Sequence, residues 1–246
     1  MSTDVLLSVE AISKRYGGLQ AVKDLSFDLR RGEILGLLGP NGAGKTTAFN
    51  MIAGYVRTDA GRIVFEGRDI AGAKPWAVCA AGIARTFQLS RPFGGMTVRE
   101  NLVVGHLEKT RDRAASLRMA DELIDFLGLQ ALADTDAELL TAFDRRKVEL
   151  GRALSTKPTL LLMDEVVAGA TPQEAQTMVG LVKRVRDRGV TVLIIEHVMK
   201  VIMGLSDRVI VMHHGQLIAN GQPQAVVREP HVLKAYFGDD YVDAAA

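Results

Sequence analysis

The chain has 246 residues, 48% of them hydrophobic, with 30 Lys+Arg against 29 Asp+Glu. That is enough apolar material for one large domain or two small ones, and the near-neutral balance speaks against nucleic acid as a partner, which calls for a basic surplus. A single cysteine, Cys79, excludes an internal disulfide and suits a reducing compartment; no run reaches the about 18 apolar residues of a membrane span, and Met1-Ser2-Thr3-Asp4 lacks the regions of a signal peptide, so a cytoplasmic chain is expected.

In chain order, residues 5–29 read as strands, because Leu25, Phe27 and Leu29 alternate with polar neighbours. Tyr16 lies in the connection before them, where an exposed ring could stack on a base or simply pack. The apolar run Glu33-Ile34-Leu35-Gly36-Leu37-Leu38 suits a buried strand, and Thr47 to Ala53 reads as the start of a helix. Between them stands Gly39-Pro40-Asn41-Gly42-Ala43-Gly44-Lys45-Thr46-Thr47, which fits G-x-x-x-x-G-K-[ST]. Glycines let such a loop turn its N–H groups onto phosphate oxygens, and the helix N-terminus adds partial positive charge. Lys45 would reach the β- and γ-phosphates of a nucleoside triphosphate and the Thr46 hydroxyl would ligate Mg²⁺.

Arg62 to Gly67 gives a further short strand with a glycine turn. A strand before Gln88 is expected to end there, with Pro92 and Gly94-Gly95 marking a loop. Thr97 to Glu100 has capping-box spacing, and Leu117, Ala120, Ile124 and Leu127 follow a helical period, so a helical subdomain is placed at about 90–156. Leu160-Leu161-Leu162-Met163-Asp164-Glu165 reads as a buried parallel strand whose C-terminal end presents two carboxylates. Beside a phosphate loop, Asp164 would hold Mg²⁺ through water and Glu165 would deprotonate the attacking water. Val190 to Glu196 repeats this pattern and ends in His197, placed for the γ-phosphate. His213-His214 before Gly215 reads as a solvent-exposed hairpin turn rather than a metal site. Pro223 to Phe237 reads as helical, and the small or polar residues 238–246 as a loose tail.

In this order and spacing, the motifs from about residue 5 to 238 resemble the ATP-binding subunit of ABC transporters. The resemblance implies an α/β fold, a P-loop NTPase core carrying an antiparallel β-subdomain and an inserted helical subdomain, and a single ATP-binding domain over 1–246. It assigns Tyr16 to adenine, and Gly39, Asn41, Gly42, Ala43, Gly44, Lys45, Thr46 and Thr47 to the phosphates. It places Gln88 at the glutamine loop, near metal and membrane subunits, Glu165 and His197 at the reacting phosphate, and Thr46, Gln88 and Asp164 around Mg²⁺. Gly82-Ile-Ala-Arg-Thr-Phe-Gln, Met96-Thr-Val-Arg-Glu-Asn-Leu, Glu196-His-Val-Met and Ala235-Tyr-Phe-Gly look most like ATPase subunits of branched-chain amino-acid-type importers. Such subunits pair with a second ATPase and with permeases on the inner face of the membrane, and indirectly serve a solute-binding protein.

Two departures stand out. The family's signature falls at Leu140-Thr141-Ala142-Phe143-Asp144, where Thr141 keeps a hydroxyl, Phe143 replaces a glycine, and Asp144 brings a negative charge toward a negative ligand. Val166 stands where the family has proline. The alternatives are therefore a nucleotide switch with little hydrolysis of its own, a soluble ABC ATPase outside transport, and another P-loop enzyme such as a kinase, for which no acceptor site is evident.

Overall fold

Three short stretches of this protein, Ile34–Leu38, Leu160–Asp164 and Thr191–Ile195, are almost wholly apolar and are buried at every position, as strands covered on both faces must be. A computed structural model describes residues 4–87, 91–107, 110 and 112–237. Its elements are β1 (Val5–Tyr16), β2 (Leu19–Arg30), β3 (Ile34–Leu38), α1 (Lys45–Ile52), β4 (Ala60–Phe65), β5 (Arg68–Asp69), α2 (Pro75–Ala81), β6 (Ile83–Arg85), α3 (Val98–His106), α4 (Arg113–Leu127), α5 (Ala142–Ser155), β7 (Leu160–Asp164), α6 (Pro172–Asp187), β8 (Thr191–Ile195), α7 (Met199–Leu205), β9 (Arg208–His213), β10 (Gln216–Gly221), α8 (Pro223–Val226) and α9 (Pro230–Phe237).

Two sheets organise them. An antiparallel sheet has the order β2-β1-β4-β5, and a larger one runs β10-β9-β3-β8-β7-β6. The larger sheet is parallel except where β10 folds back on β9. Its side chains alternate between two cores. Leu35, Leu37, Leu160, Leu162, Leu193 and Ile195 face the antiparallel sheet and Phe49 of α1. Leu161, Met163, Val192, Ile194, Val209 and Val211 face α4 to α7. The sheet is therefore the middle layer, and the α/β architecture with an antiparallel sheet and a helical insertion is as the sequence implies.

The local departures are small. Helix α1 begins at Lys45, two residues earlier than expected, because Gly44 adopts a left-handed N-cap. Strand β6 ends at Arg85 rather than at Gln88, which lies outside the described residues; Thr86 still donates to Leu162 O at 2.9 Å before the chain leaves the sheet. The capping box at Thr97 is formed, and α3 to α5 stand between β6 and β7. Residues 223–237 form two helices rather than one. At the β9–β10 hairpin, His214 is exposed but His213 is half-buried against it, ring centroids 4.0 Å apart.

A charged clamp built on Arg208 joins the two sheets. Arg208, at the start of β9, holds Glu33 through Nε–Oε1 at 2.7 Å and Nη2–Oε2 at 3.0 Å, and Nη2 also reaches the Asp28 carbonyl of β2 at 2.6 Å. Removing the guanidinium strands a mostly buried carboxylate and a carbonyl. Arg208→Ala is expected to cost about 2–4 kcal/mol, a fall of roughly 5–12 °C in melting temperature by calorimetry.

Candidate active site

Three strand ends sit level with one another. Leu37 of β3 pairs with Ile195 of β8, and Ile195 pairs with Asp164 of β7. The residues that follow each strand, from Gly39, Glu165 and Glu196, therefore leave the sheet on one edge, where open α/β sheets place ligands.

The loop from Gly39 to Gly44 wraps this edge under tight backbone contacts. A Cβ on Gly39 would lie 2.2 Å from the Met212 carbonyl oxygen, and one on Gly44 would lie 2.3 Å from that of Ala21. Both positions also have positive φ, so only glycine fits. Gly44 offers no side-chain cap, which leaves the first-turn amides of α1 to be met by a ligand. The Gly39 N–H is anchored from the far end of the chain, donating to the Tyr236 hydroxyl at 2.7 Å.

Lys45 is buried, and its ammonium points back into the loop, donating to Gly39 O at 2.6 Å and Pro40 O at 2.9 Å. Burial holds it below the usual lysine range, against the opposing pull of Glu165 and Asp164. Two carbonyl oxygens thus occupy donors that phosphate oxygens would take. Thr46 and Asp164 line one cavity of about 830 Å³. A hydroxyl and a carboxylate are hard oxygen donors, the set that suits Mg²⁺ when phosphate and water complete the shell. Among the described residues no cluster of three or more His, Cys, Asp or Glu could hold a metal. Burial raises the Asp164 carboxyl, and Arg85, 3.1 Å away through Nη2, opposes that shift.

Glu165 follows β7 with φ 49°, a left-handed conformation uncommon outside glycine, fixed by its N–H donating to Ile195 O at 2.9 Å. That turn aims its carboxylate along the edge to His197, Oε1 to Nε2 2.6 Å. Glu196 points the other way, buried, and accepts from the Val167 N–H at 2.9 Å, which holds the loop after Glu165 in place. Val166 is buried in this loop.

Tyr16 ends β1 at the hairpin tip, 47% exposed. Thr141 caps α5, accepting from the Asp144 N–H at 3.1 Å and donating to its carboxylate at 2.7 Å. Asp144 also meets Lys147 Nζ at 2.8 Å. Burial raises this carboxyl, but hydrogen bonds from Lys147 and Thr141 outweigh it and hold it below the ordinary range. The negative charge expected to face a ligand is therefore compensated within the helix, and the Phe143 ring packs against the core below it. In the sequence Tyr236, Arg85 and Glu196 are single polar residues near strand or helix ends, and they carry no spacing signal.

The comparisons with known proteins agree with this geometry. The sequence profile described as "ABC transporter" matches residues 22–168. The high-affinity branched-chain amino acid transport ATP-binding protein LivG of Salmonella typhimurium is 38% identical, over 95% of this chain and 98% of its own length. The probable branched-chain amino acid transport ATP-binding protein LivG of Methanocaldococcus jannaschii is 34% identical over the same shares. A nucleotide-free ATP-binding cassette from an ABC transporter superposes with a TM-score of 0.86 at 34% identity, covering 96% of this chain and all of that one. The chain belongs to the ABC transporter family, as one of its ATP-hydrolysing cassettes.

Proposed function

We propose that this chain hydrolyses Mg²⁺-bound ATP to drive a membrane importer of branched-chain amino acids or related small solutes. The observation that supports this most directly is the level pairing of β3, β8 and β7, which gathers Lys45, Asp164, Glu165 and His197 on one edge. In this reading, Tyr16 stacks on adenine, and the amides from Asn41 to Thr47 cradle the phosphates. Lys45 exchanges its loop carbonyls for β- and γ-phosphate oxygens. Thr46, Asp164 and Gln88 would hold Mg²⁺, which when bound neutralises phosphate charge. Glu165 takes the proton of the attacking water, and His197, hydrogen-bonded to it, orients that carboxylate and faces the γ-phosphate. Glu165→Gln is expected to retain ATP binding by calorimetry while turnover falls about 10²–10⁴-fold, since an amide cannot accept the proton.

No described helix is long and apolar enough to cross a membrane, so transport in this reading belongs to partner permeases. The cavity that holds Thr46 and Asp164 is also lined by Tyr55, Phe87 and Phe93, each more than 40% exposed. That rim is where we place the permeases, leaving the chain peripheral on the inner face of the membrane. Reconstituted with cognate permeases and a solute-binding protein, the chain is expected to hydrolyse ATP faster when leucine, isoleucine or valine is supplied. Stimulation by a chemically distant solute alone would reassign the cargo.

The closed Thr141–Asp144–Lys147 group favours a second reading, in which the chain turns over slowly by itself. Through Thr141, the N-terminus of α5 would complete a partner ATPase's site, yet the Asp144 amide is spent on Thr141 and the Phe143 ring stands beside it. Because Lys147 already offsets Asp144, Asp144→Gln alone should change little. Phe143→Gly with Asp144→Gln is expected to raise steady-state turnover of the purified chain at least about tenfold, by clearing the ring from the helix N-terminus and releasing the Thr141 hydroxyl from the Asp144 carboxylate. Brisk turnover indifferent to the double substitution would reject the switch.

A further inference from the structure

The proposed hydrolysis gives no part to Arg85, although its guanidinium is buried against the site. Arg85 ends β6, one strand over from Asp164. Its Nη2 meets Asp164 Oδ2 at 3.1 Å, and its Nη1 donates to Asn50 Oδ1 at 2.5 Å. Asn50 lies one turn after Thr46 on α1, so a single planar fork ties together the two elements that carry Thr46 and Asp164. The remaining face is aromatic: the guanidinium carbon stands 6.0, 5.6 and 5.4 Å from the ring centroids of Phe49, Tyr55 and Phe87. Phe49 belongs to the core, whereas Tyr55 and Phe87 are 52% and 47% exposed and line the cavity.

We propose that Arg85 is a positioning residue that sets the spacing of the cation-holding pair Thr46 and Asp164, and transmits contact at the Tyr55–Phe87 rim to that pair. The inference rests on the reading that Asp164 holds Mg²⁺. Fixing the carboxylate rotamer in advance removes an ordering cost from cation binding. Spreading the positive charge over aromatic faces keeps the guanidinium stable close to an arriving dication. A partner that turns the Tyr55 ring would move one wall of this cage, and by reciprocity nucleotide–metal binding would alter the rim. Lysine cannot reproduce the arrangement, because one ammonium lacks the planar fork that spans Asp164 and Asn50.

The test is calorimetry of the full chain with a non-hydrolysable ATP analogue, with and without Mg²⁺. Metal-free affinity should stay within about threefold in every variant, which a general loss of structure would not allow. The Mg²⁺ enhancement should fall at least about fivefold in Arg85→Met, recover only partly in Arg85→Lys, and fall no further when Arg85→Met is added to Asp164→Asn. Tyr55→Ala, at the exposed rim, should cost the enhancement about two- to threefold. An unchanged enhancement in Asp164→Asn would overturn the metal reading and this inference with it. A fall in Asp164→Asn with none in Arg85→Met, or additive losses in the double variant, would overturn the inference alone. If Arg85→Met melts at the working temperature, Arg85→Lys and Tyr55→Ala decide, and unchanged enhancement in both overturns it.

Discussion

The level, parallel pairing of β3, β8 and β7 is the constraint on which the rest depends. A slip of one residue would turn every side chain of a strand to the other face. Here that slip is blocked twice, because each face of the sheet feeds a separate apolar core. The cores thus fix the register, and the register fixes where the polar residues beyond the strands emerge. Site precision is inherited from apolar packing, with few polar contacts needed to maintain it.

Much of this was readable beforehand because the strands are buried on both faces. Such strands show as apolar runs, and the polar residues that close or follow them stand out, as with Asp164 and Glu165 on one strand and Glu196 and His197 on the next. The phosphate loop is readable for another reason: its outer glycines, Gly39 and Gly44, answer backbone collisions with Met212 and Ala21, which leave no choice of residue. What could not be read depends on distant pairings. Arg85 is one letter in a three-residue strand, and nothing local says that its fork closes on Asp164 and Asn50. Tyr236 meets Gly39 across 197 positions of sequence.

Asp144 shows a different limit. Read as a letter, it is a negative charge introduced where a negative ligand is expected. Its surroundings reverse that reading, because Lys147 lies one turn on and Thr141 one turn back, and the three close on one another. The charge is legible in the sequence, whereas its reach is set by Lys147 and Thr141. Phe143 is similar: its ring is held partly by the core and by Lys147, whose Nζ lies 5.3 Å from the ring centroid.

The bond between Gly39 and Tyr236 has a consequence for how the protein comes to exist. On the ribosome, β3 is finished early, but its neighbours β8 and β9 follow only at residues 191–213, and the hydroxyl that anchors the loop arrives later still. Local helices such as α4 can form as they emerge, whereas the central strand must wait with its apolar face uncovered. A nascent chain lacking its last helix would carry every residue of the phosphate loop without the loop's final anchor. The shape of the phosphate loop is thereby tied to the arrival of Tyr236, 197 residues after Gly39, so that the loop is finished only after the sheet that carries it.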